Sequence, residues 1–218
     1  MKKLSVKNSS EEFIAGKIVC VGRNYAEHAK ELGNELPEYP LIFLKPASVI
    51  IFSGEKVVHP VYSNELHYEG ELVVLIGKTI KNATAEQAED AITGYAVGLD
   101  MTLRDLQREL AAKGNPWTLA KCFDTSAVLS DFTLKSDHPL SMDEVILLRV
   151  NGQDRQKSEL NKMIFPPAEL VRYISSVMAL EKGDLIFTGT PAGVGKVVKG
   201  DIIETEITGI GRLTTEIA

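Results

Sequence analysis

The apolar positions of this chain fall into short runs rather than long stripes. Lys17 to Gly22 is a compact apolar run that predicts a buried strand. Asn24-Tyr25-Ala26-Glu27 follows with the residue pattern of a capping box, Asn24 as N-cap, and predicts a short helix that stops at Gly33. Leu41 to Ile51 reads as a strand region interrupted near Pro46 and Ser48. Glu65 to Gly77 begins with alternating polar residues and ends as an apolar strand, and Gly94 to Asp100 is a second buried strand that ends on an acid.

Helical spacing is rarer. Thr84 to Gln87 is another capping box, opening a helix to about Ile92, and Thr102 to Lys113 reads as an amphipathic helix. Pro167 opens a helix through Leu180, with apolar residues at 170, 171, 174, 177 and 178. Asn151-Gly152 after the run Glu144 to Val150 predicts a hairpin. From Lys182 onward glycine punctuates β-branched runs, which predicts a compact β-meander. Strands outnumber helices without strict alternation, so the expected class is α+β, mainly β.

Composition narrows the function classes. The 218 residues suit one domain with a sizeable core, and the net charge of −6 argues against an extended nucleic-acid surface. No apolar run approaches the roughly 20 residues of a bilayer span, and Met1 to Glu12 lacks the apolar core of a signal peptide. Cys20 and Cys122 sit among apolar residues and read as buried free thiols, which fits a reducing cytoplasm. The charge and the short apolar runs lead to the expectation of neither a nucleic-acid nor a membrane partner.

The chemistry-bearing positions are mostly acidic. Glu69 and Glu71 are two apart on a predicted strand and so share a face. Two carboxylates about 4 Å apart repel by roughly 4 kcal/mol at an effective dielectric of about 20, which a cation between them relieves. Asp100 could complete a set of three oxygen ligands for a hard ion, Mg²⁺ or Mn²⁺. The same spacing also describes a solvated edge strand. His67 shares that face and reads as a neighbour of the site rather than a ligand.

His28 and Glu31 lie three apart on a helix, as a general base and its orienting carboxylate would, or as a surface pair would. Arg104 and Gln107 share a helix face able to bind a carboxylate, and solvated helix faces also look so. Lys121 is a charge inside an apolar stretch, where pairing with a buried acid or an anionic ligand is the natural reason for it. Thr188 to Lys196 (TGTPAGVGK) imitates a phosphate-binding loop. Thr190 stands where its first glycine belongs and Val197 where Ser or Thr must sit, so a nucleotide reading is rejected.

The segments VGRNYAEHAKE, IFLKPAS, HYEGELVVLIG, GYAVGLDMTLRDLQ, PWTLAKCFDT and SSVMALEKGDLIFTGTPAGVG, in this order, resemble the fumarylacetoacetate hydrolase family. The similarity is greatest to its short acylpyruvase/oxaloacetate decarboxylase members. It runs from about Lys17, leaving 1–16 as an N-terminal extension expected to pack on a catalytic domain over 17–218.

The resemblance implies a mixed β-roll with peripheral helices, assembled as a homodimer. It implies that Glu69, Glu71 and Asp100 ligate Mg²⁺ or Mn²⁺, that His28 and Glu31 form a catalytic dyad, and that Lys121 is the active-site lysine. Arg104, Gln107, Gly189 and Thr190 correspond to substrate-contacting positions. The implied activity is hydrolysis of an acylpyruvate or decarboxylation of oxaloacetate, cleaving a C–C bond of a 2-oxo acid and releasing pyruvate. Isomerase or decarboxylase steps on aromatic-catabolism intermediates, of the 2-hydroxyhepta-2,4-diene-1,7-dioate isomerase type, run on the same scaffold. A non-catalytic 2-oxo-acid-binding protein is the alternative of another class.

Overall fold

A computed structural model describes every residue of the chain except Leu32 and Asn34. Among the described residues the strands form four sheets. The largest has eight strands, seven of them in the order Leu41–Lys45, Ile18–Gly22, Leu185–Phe187, Gly70–Ile76, Ile92–Asp100, Ala127–Leu129, Ile50–Phe52. Thr133–Leu134 pairs with Ile92–Asp100 beside that path. Leu185–Phe187 runs parallel to Ile18–Gly22, and Ala127–Leu129 parallel to Ile50–Phe52, while the other pairs in this sheet are antiparallel. The sheet is therefore mixed, and the chain is mainly β with a few short helices, as expected.

Both faces of this sheet are buried. Leu72, Val74 and Ile76 enter one apolar cluster, whereas Val73 and Leu75 enter another with Cys20, Ala96 and Phe187. A strand covered on both sides has no polar face to alternate with, which is why GELVVLI reads as a continuous apolar run. Gly98 keeps the second cluster tight: a Cβ there would lie 2.5 Å from Val73 Cγ2 and 2.8 Å from the Phe187 ring.

A five-stranded sheet runs Gln153–Glu159, Val145–Val150, Ile202–Ile207, Gly211–Ile217, Lys56–Val57. Its first hairpin turns at Asn151 (φ 51°) and Gly152 (φ 74°), the two positive angles that a type I′ turn requires. A three-stranded sheet joins Thr102–Leu103, Leu66–Tyr68 and Gly195–Val197. Lys3–Leu4 and Phe13–Ile14 pair as a ribbon whose Phe13 is buried in the second apolar cluster. Among the described residues no helix is long and apolar enough to cross a membrane.

Among the described residues the α-helices are Ala26–Glu31, Ala85–Ala91, Arg104–Ala112, Thr118–Lys121 and Pro167–Val177. Thr84 closes the predicted capping box with Gln87, and Gly33 (φ 67°) follows the first helix in a left-handed conformation.

Four expectations need correction. Asn24 does not spend its side chain on a cap: it donates to Phe165 O (3.0 Å) and Thr188 O (2.7 Å) and accepts from Phe165 N (2.8 Å). The helix at Thr102 starts later, because Thr102–Leu103 pairs as a strand with Leu66–Tyr68. The glycine-punctuated tail is no single meander. Leu185–Phe187, Gly195–Val197 and the hairpin Ile202–Ile207/Gly211–Ile217 lie in three different sheets, since each short run is buried by different partners. Cys20 is buried, but Cys122 is only half-buried, its thiol donating to Leu44 O. The phosphate-loop imitation leads into the strand Gly195–Val197 rather than a helix, which removes the helix N-terminus that such a loop needs.

Candidate active site

Glu69 and Glu71 do not belong to one strand. Glu69 stands at the break between Leu66–Tyr68 and Gly70–Ile76, the point where the chain leaves the three-stranded sheet for the eight-stranded one. Its carbonyl accepts from Asp100 N (2.9 Å), which fixes the end of Ile92–Asp100 beside it. Glu71 points to the face of Val73 and Leu75. The three carboxylates are buried and offer oxygens within 4.8 Å of one another.

Cations surround this cluster. Lys121, at the end of a single-turn helix, donates to Glu69 Oε2 (2.6 Å) and Asp100 Oδ2 (2.8 Å). Arg104 opens the helix Arg104–Ala112 and donates one Nη to Glu69 Oε1 (2.5 Å) and the other to Gln107 Oε1. Lys45, fully buried at the end of Leu41–Lys45, lies 2.5 Å from Asp100 Oδ1 and donates to Ser126 O (2.6 Å) and Met101 O (3.3 Å). That contact with Asp100 is an ion pair without hydrogen-bond geometry, so Oδ1 has no hydrogen-bond partner.

Protonation follows from these surroundings. Burial pushes the Glu69 carboxyl up, but Lys121 and Arg104 together outweigh it and hold Glu69 well below the ordinary range. Burial lowers Lys121, and Asp100 and Glu69 more than reverse that, so the ammonium is retained. Glu71 goes the other way: burial, then the charges of Asp100 and Glu69, raise it well above 4.5. Three acids in one buried cluster, one of them unable to hold its charge comfortably, fit a hard divalent cation. Asp100 Oδ1, paired with Lys45 but without hydrogen-bond geometry, fits it too.

The acids line a cavity of about 400 Å³ that also holds His28 and Glu31. His28 is buried, its Nδ1 3.2 Å from Glu31 Oε2, and Glu31 accepts from Gly193 N (3.1 and 3.2 Å). Burial lowers the imidazole's pKa from 6.5, leaving it neutral at pH 7. Arg104, Gln107, Lys121 and Thr190 line the same cavity. Gly189 reaches the cluster through its backbone, donating to Glu71 Oε2 (2.7 Å), and Thr190 Oγ1 donates to Gly70 O (2.9 Å). The structure thus brings together all ten residues singled out in the sequence.

Sequence reasoning gave no role to some of the residues around them. Lys45 carries a signal that was available, a lysine inside the apolar run LIFLK. Phe43 and Trp117 line the cavity and pack edge to face at 5.7 Å, with the Lys121 ammonium 5.0 Å from the Phe43 ring, and nothing in their spacing announces it. Arg23 lines the cavity with φ 58°, a strained angle for a non-glycine residue. His67 also lines it and makes no part of the acid cluster, as read from the sequence. Burial, then Arg104, pushes its pKa down to about 4.

Comparisons with known proteins identify the family of the chain. The family described as "Fumarylacetoacetate (FAA) hydrolase C-terminal" matches residues 17–218. A mitochondrial oxaloacetate decarboxylase of Dictyostelium discoideum is 47% identical over 196 residues, 89% of this chain and 89% of the relative. A mitochondrial oxaloacetate tautomerase of Bos taurus is 45% identical over 193 residues, 88% of this chain and 87% of the relative. The crystal structure of fumarylpyruvate hydrolase from Pseudomonas aeruginosa, in complex with Mn²⁺ and pyruvate, superposes with a TM-score of 0.96 at 40% identity. It covers 100% of this chain and 95% of that one. The chain belongs to the fumarylacetoacetate hydrolase family.

Proposed function

We propose that this protein is a divalent-metal-dependent enzyme acting on small 2-oxo acids, releasing pyruvate by acylpyruvate hydrolysis, by oxaloacetate decarboxylation, or by both. The observation that carries this reading is the joint presence, in one cavity, of three buried carboxylates within 4.8 Å and a neutral histidine held by a carboxylate. The names of the relatives, an oxaloacetate decarboxylase, an oxaloacetate tautomerase and a fumarylpyruvate hydrolase, support the same substrate class.

Glu69, Glu71 and Asp100 would hold Mg²⁺ or Mn²⁺. The ion would supply a Lewis acid to the oxygens of a bound 2-oxo acid. Charge counting supports an anionic substrate. With all three acids ionised, Lys45, Lys121 and Arg104 cancel them, and a divalent ion then leaves two positive charges in a buried site. A 2-oxo acid, anionic at its carboxylate and gaining charge at the 2-oxo oxygen, restores the balance.

In hydrolysis, Glu31 holds His28 Nδ1, leaving Nε2 to take a proton from the attacking water. Attack at the distal carbonyl breaks the C3–C4 bond, the electron pair leaves as the pyruvate enolate, and protonation at C3 gives pyruvate. Lys121 donates to the developing oxyanion, and Arg104, already fixed by Gln107, orients the substrate carboxylate. Decarboxylation reaches the same enolate without a water, so it needs the charge-stabilising residues but not His28. Keto–enol exchange of oxaloacetate, the activity in the name of the bovine relative, would draw on the same stabilisation and only moves a proton between C3 and the 2-oxo oxygen.

The test is pyruvate release from acetylpyruvate and oxaloacetate in parallel, on EDTA-stripped protein with and without Mg²⁺ or Mn²⁺, against metal-only blanks. Enol absorbance of oxaloacetate is followed separately. Metal-dependent release from either substrate is expected. No release from either, with rapid enol exchange, would replace cleavage by tautomerisation as the activity.

A further inference from the structure

Gln156 is an anomaly. It lies on the edge strand Gln153–Glu159, whose residues are otherwise exposed or half-exposed, and yet it is 1% exposed. Burying an amide is unfavourable unless its hydrogen bonds are made, and here they are. Its Oε1 accepts from Gly70 N (3.0 Å), and its Nε2 donates to Thr190 Oγ1 (2.7 Å) and Pro191 O (2.7 Å).

Those partners are not ordinary core positions. Gly70 is the residue between Glu69 and Glu71, and it also accepts from Thr190 Oγ1 (2.9 Å). The segment anchored at Thr190 and Pro191 runs from Gly189, whose N–H donates to Glu71 (2.7 Å), to Gly193, whose N–H donates to Glu31 (3.1 Å). Gly193 itself packs against the strand of Gln156, since a Cβ there would sit 2.1 Å from Arg155 O and 3.4 Å from Gln156 Cγ. One amide therefore ties the peptide between two carboxylates to the loop that orients both a carboxylate and the dyad.

We propose that Gln156 is a positioning residue, holding Glu69 and Glu71 through the Gly70 peptide and holding the 189–193 loop against Glu71 and Glu31. It touches neither substrate nor ion, and its effect on the ion rests on the metal-site reading above. Groups hydrogen-bonded directly to metal ligands change metal affinity or activity by about 10–100-fold when removed, and Gln156, acting one step further out through the Gly70 peptide and the 189–193 loop, belongs at the lower end of that range.

The experiment measures Mn²⁺ affinity by calorimetry or by the electron paramagnetic resonance of the free ion, together with kcat and KM. Three variants are compared with the wild type. Gln156→Met keeps the length and removes the amide, and Gln156→Glu keeps an acceptor for Gly70 but loses the donors. Ile203→Ala removes core volume from the same five-stranded sheet and serves as a control for lost stability. Both Gln156 variants are expected to bind Mn²⁺ about 10-fold or more weakly and to lose kcat more than KM, with Ile203→Ala retaining wild-type affinity. If Gln156→Met does not fold, Gln156→Glu carries the same comparison. Mn²⁺ affinity within about twofold of Ile203→Ala for the Gln156 variants would reduce Gln156 to a structural role and overturn the proposal. Wild-type protein that binds no Mn²⁺ would instead overturn the metal-site reading itself.

Discussion

The Lys121 ammonium bridges Glu69 and Asp100, 2.8 Å from Asp100 Oδ2, with its side chain 2% exposed. A buried pair of this kind contributes little net stability while intact, but removing one partner strands the other. Here Glu69 keeps Arg104 and Asp100 keeps Lys45, so Lys121→Met should destabilise the metal-free protein by less than the about 3–5 kcal/mol of a buried charge left with no partner. Saturating Mn²⁺ should recover much of this, because the ion replaces the lost positive charge. Thermal melts with and without Mn²⁺ check it, and an equal loss in both states would mean that the lysine and the ion do not share the same acids.

Metal binding should release protons. Burial and the charges of Asp100 and Glu69 raise Glu71 well above 4.5, so the metal-free protein carries a proton that an ion must displace. Apparent Mn²⁺ affinity is expected to rise with pH, and calorimetry in buffers of different ionisation enthalpy should show the released proton. The stability sign is fixed as well. A folded-state pKa above the unfolded one contributes stability below about pH 4.5 that fades as pH rises through the folded value. This fading belongs to the metal-free protein and should vanish when the ion is bound. Buffer-independent binding heats would count against it.

His28 separates the two proposed reactions. Burial lowers its pKa from 6.5, so kcat/KM for acylpyruvate hydrolysis should climb with pH through a midpoint below 6.5 and then level off. His28→Ala should remove that limb and cost roughly 10²–10⁴ in hydrolysis, with oxaloacetate decarboxylation much less affected. The same loss in both reactions would show that the imidazole serves a step they share.

Removing an acid should not discriminate in this way. Glu69→Ala or Asp100→Ala each leaves Lys121 with one carboxylate and the site with two, so both activities and Mn²⁺ binding are expected to disappear together. Residual decarboxylation in either variant, measured against a metal-only blank, would reassign the ligands.

Gly189 has φ 95°, and a Cβ there would lie 2.8 Å from Asn24 Cβ and 2.9 Å from Val21 O. Gly189→Ala should cost roughly 1–3 kcal/mol through the backbone angle, with the contacts adding to it. It should also weaken Mn²⁺ binding by moving the N–H that donates to Glu71. Wild-type melting and affinity together would refute the strained-turn account.

The sequence by itself determined the class of the fold and which charged side chains gather at the cavity. Runs such as GELVVLI and GYAVGLD are apolar without alternation because both faces of their strands are buried, and that is visible in a string. Glu69, Glu71, Asp100 and Lys121 stood out for the complementary reason. Charges next to buried strands need partners, and the family motifs told which ones to group.

The tertiary structure alone decided how those partners meet. Glu69 and Glu71 looked like neighbours on one strand, yet they converge because the chain changes sheets at Glu69, an event set by pairing with residues 102–103 and 195–197. Long-range pairing of this kind depends on which distant strands compete for each edge, and no local pattern encodes it. The same holds for Gln156, one polar residue in a polar strand, and for the tail that divides among three sheets. Their burial is fixed by what folds over them, not by what precedes or follows them in the chain.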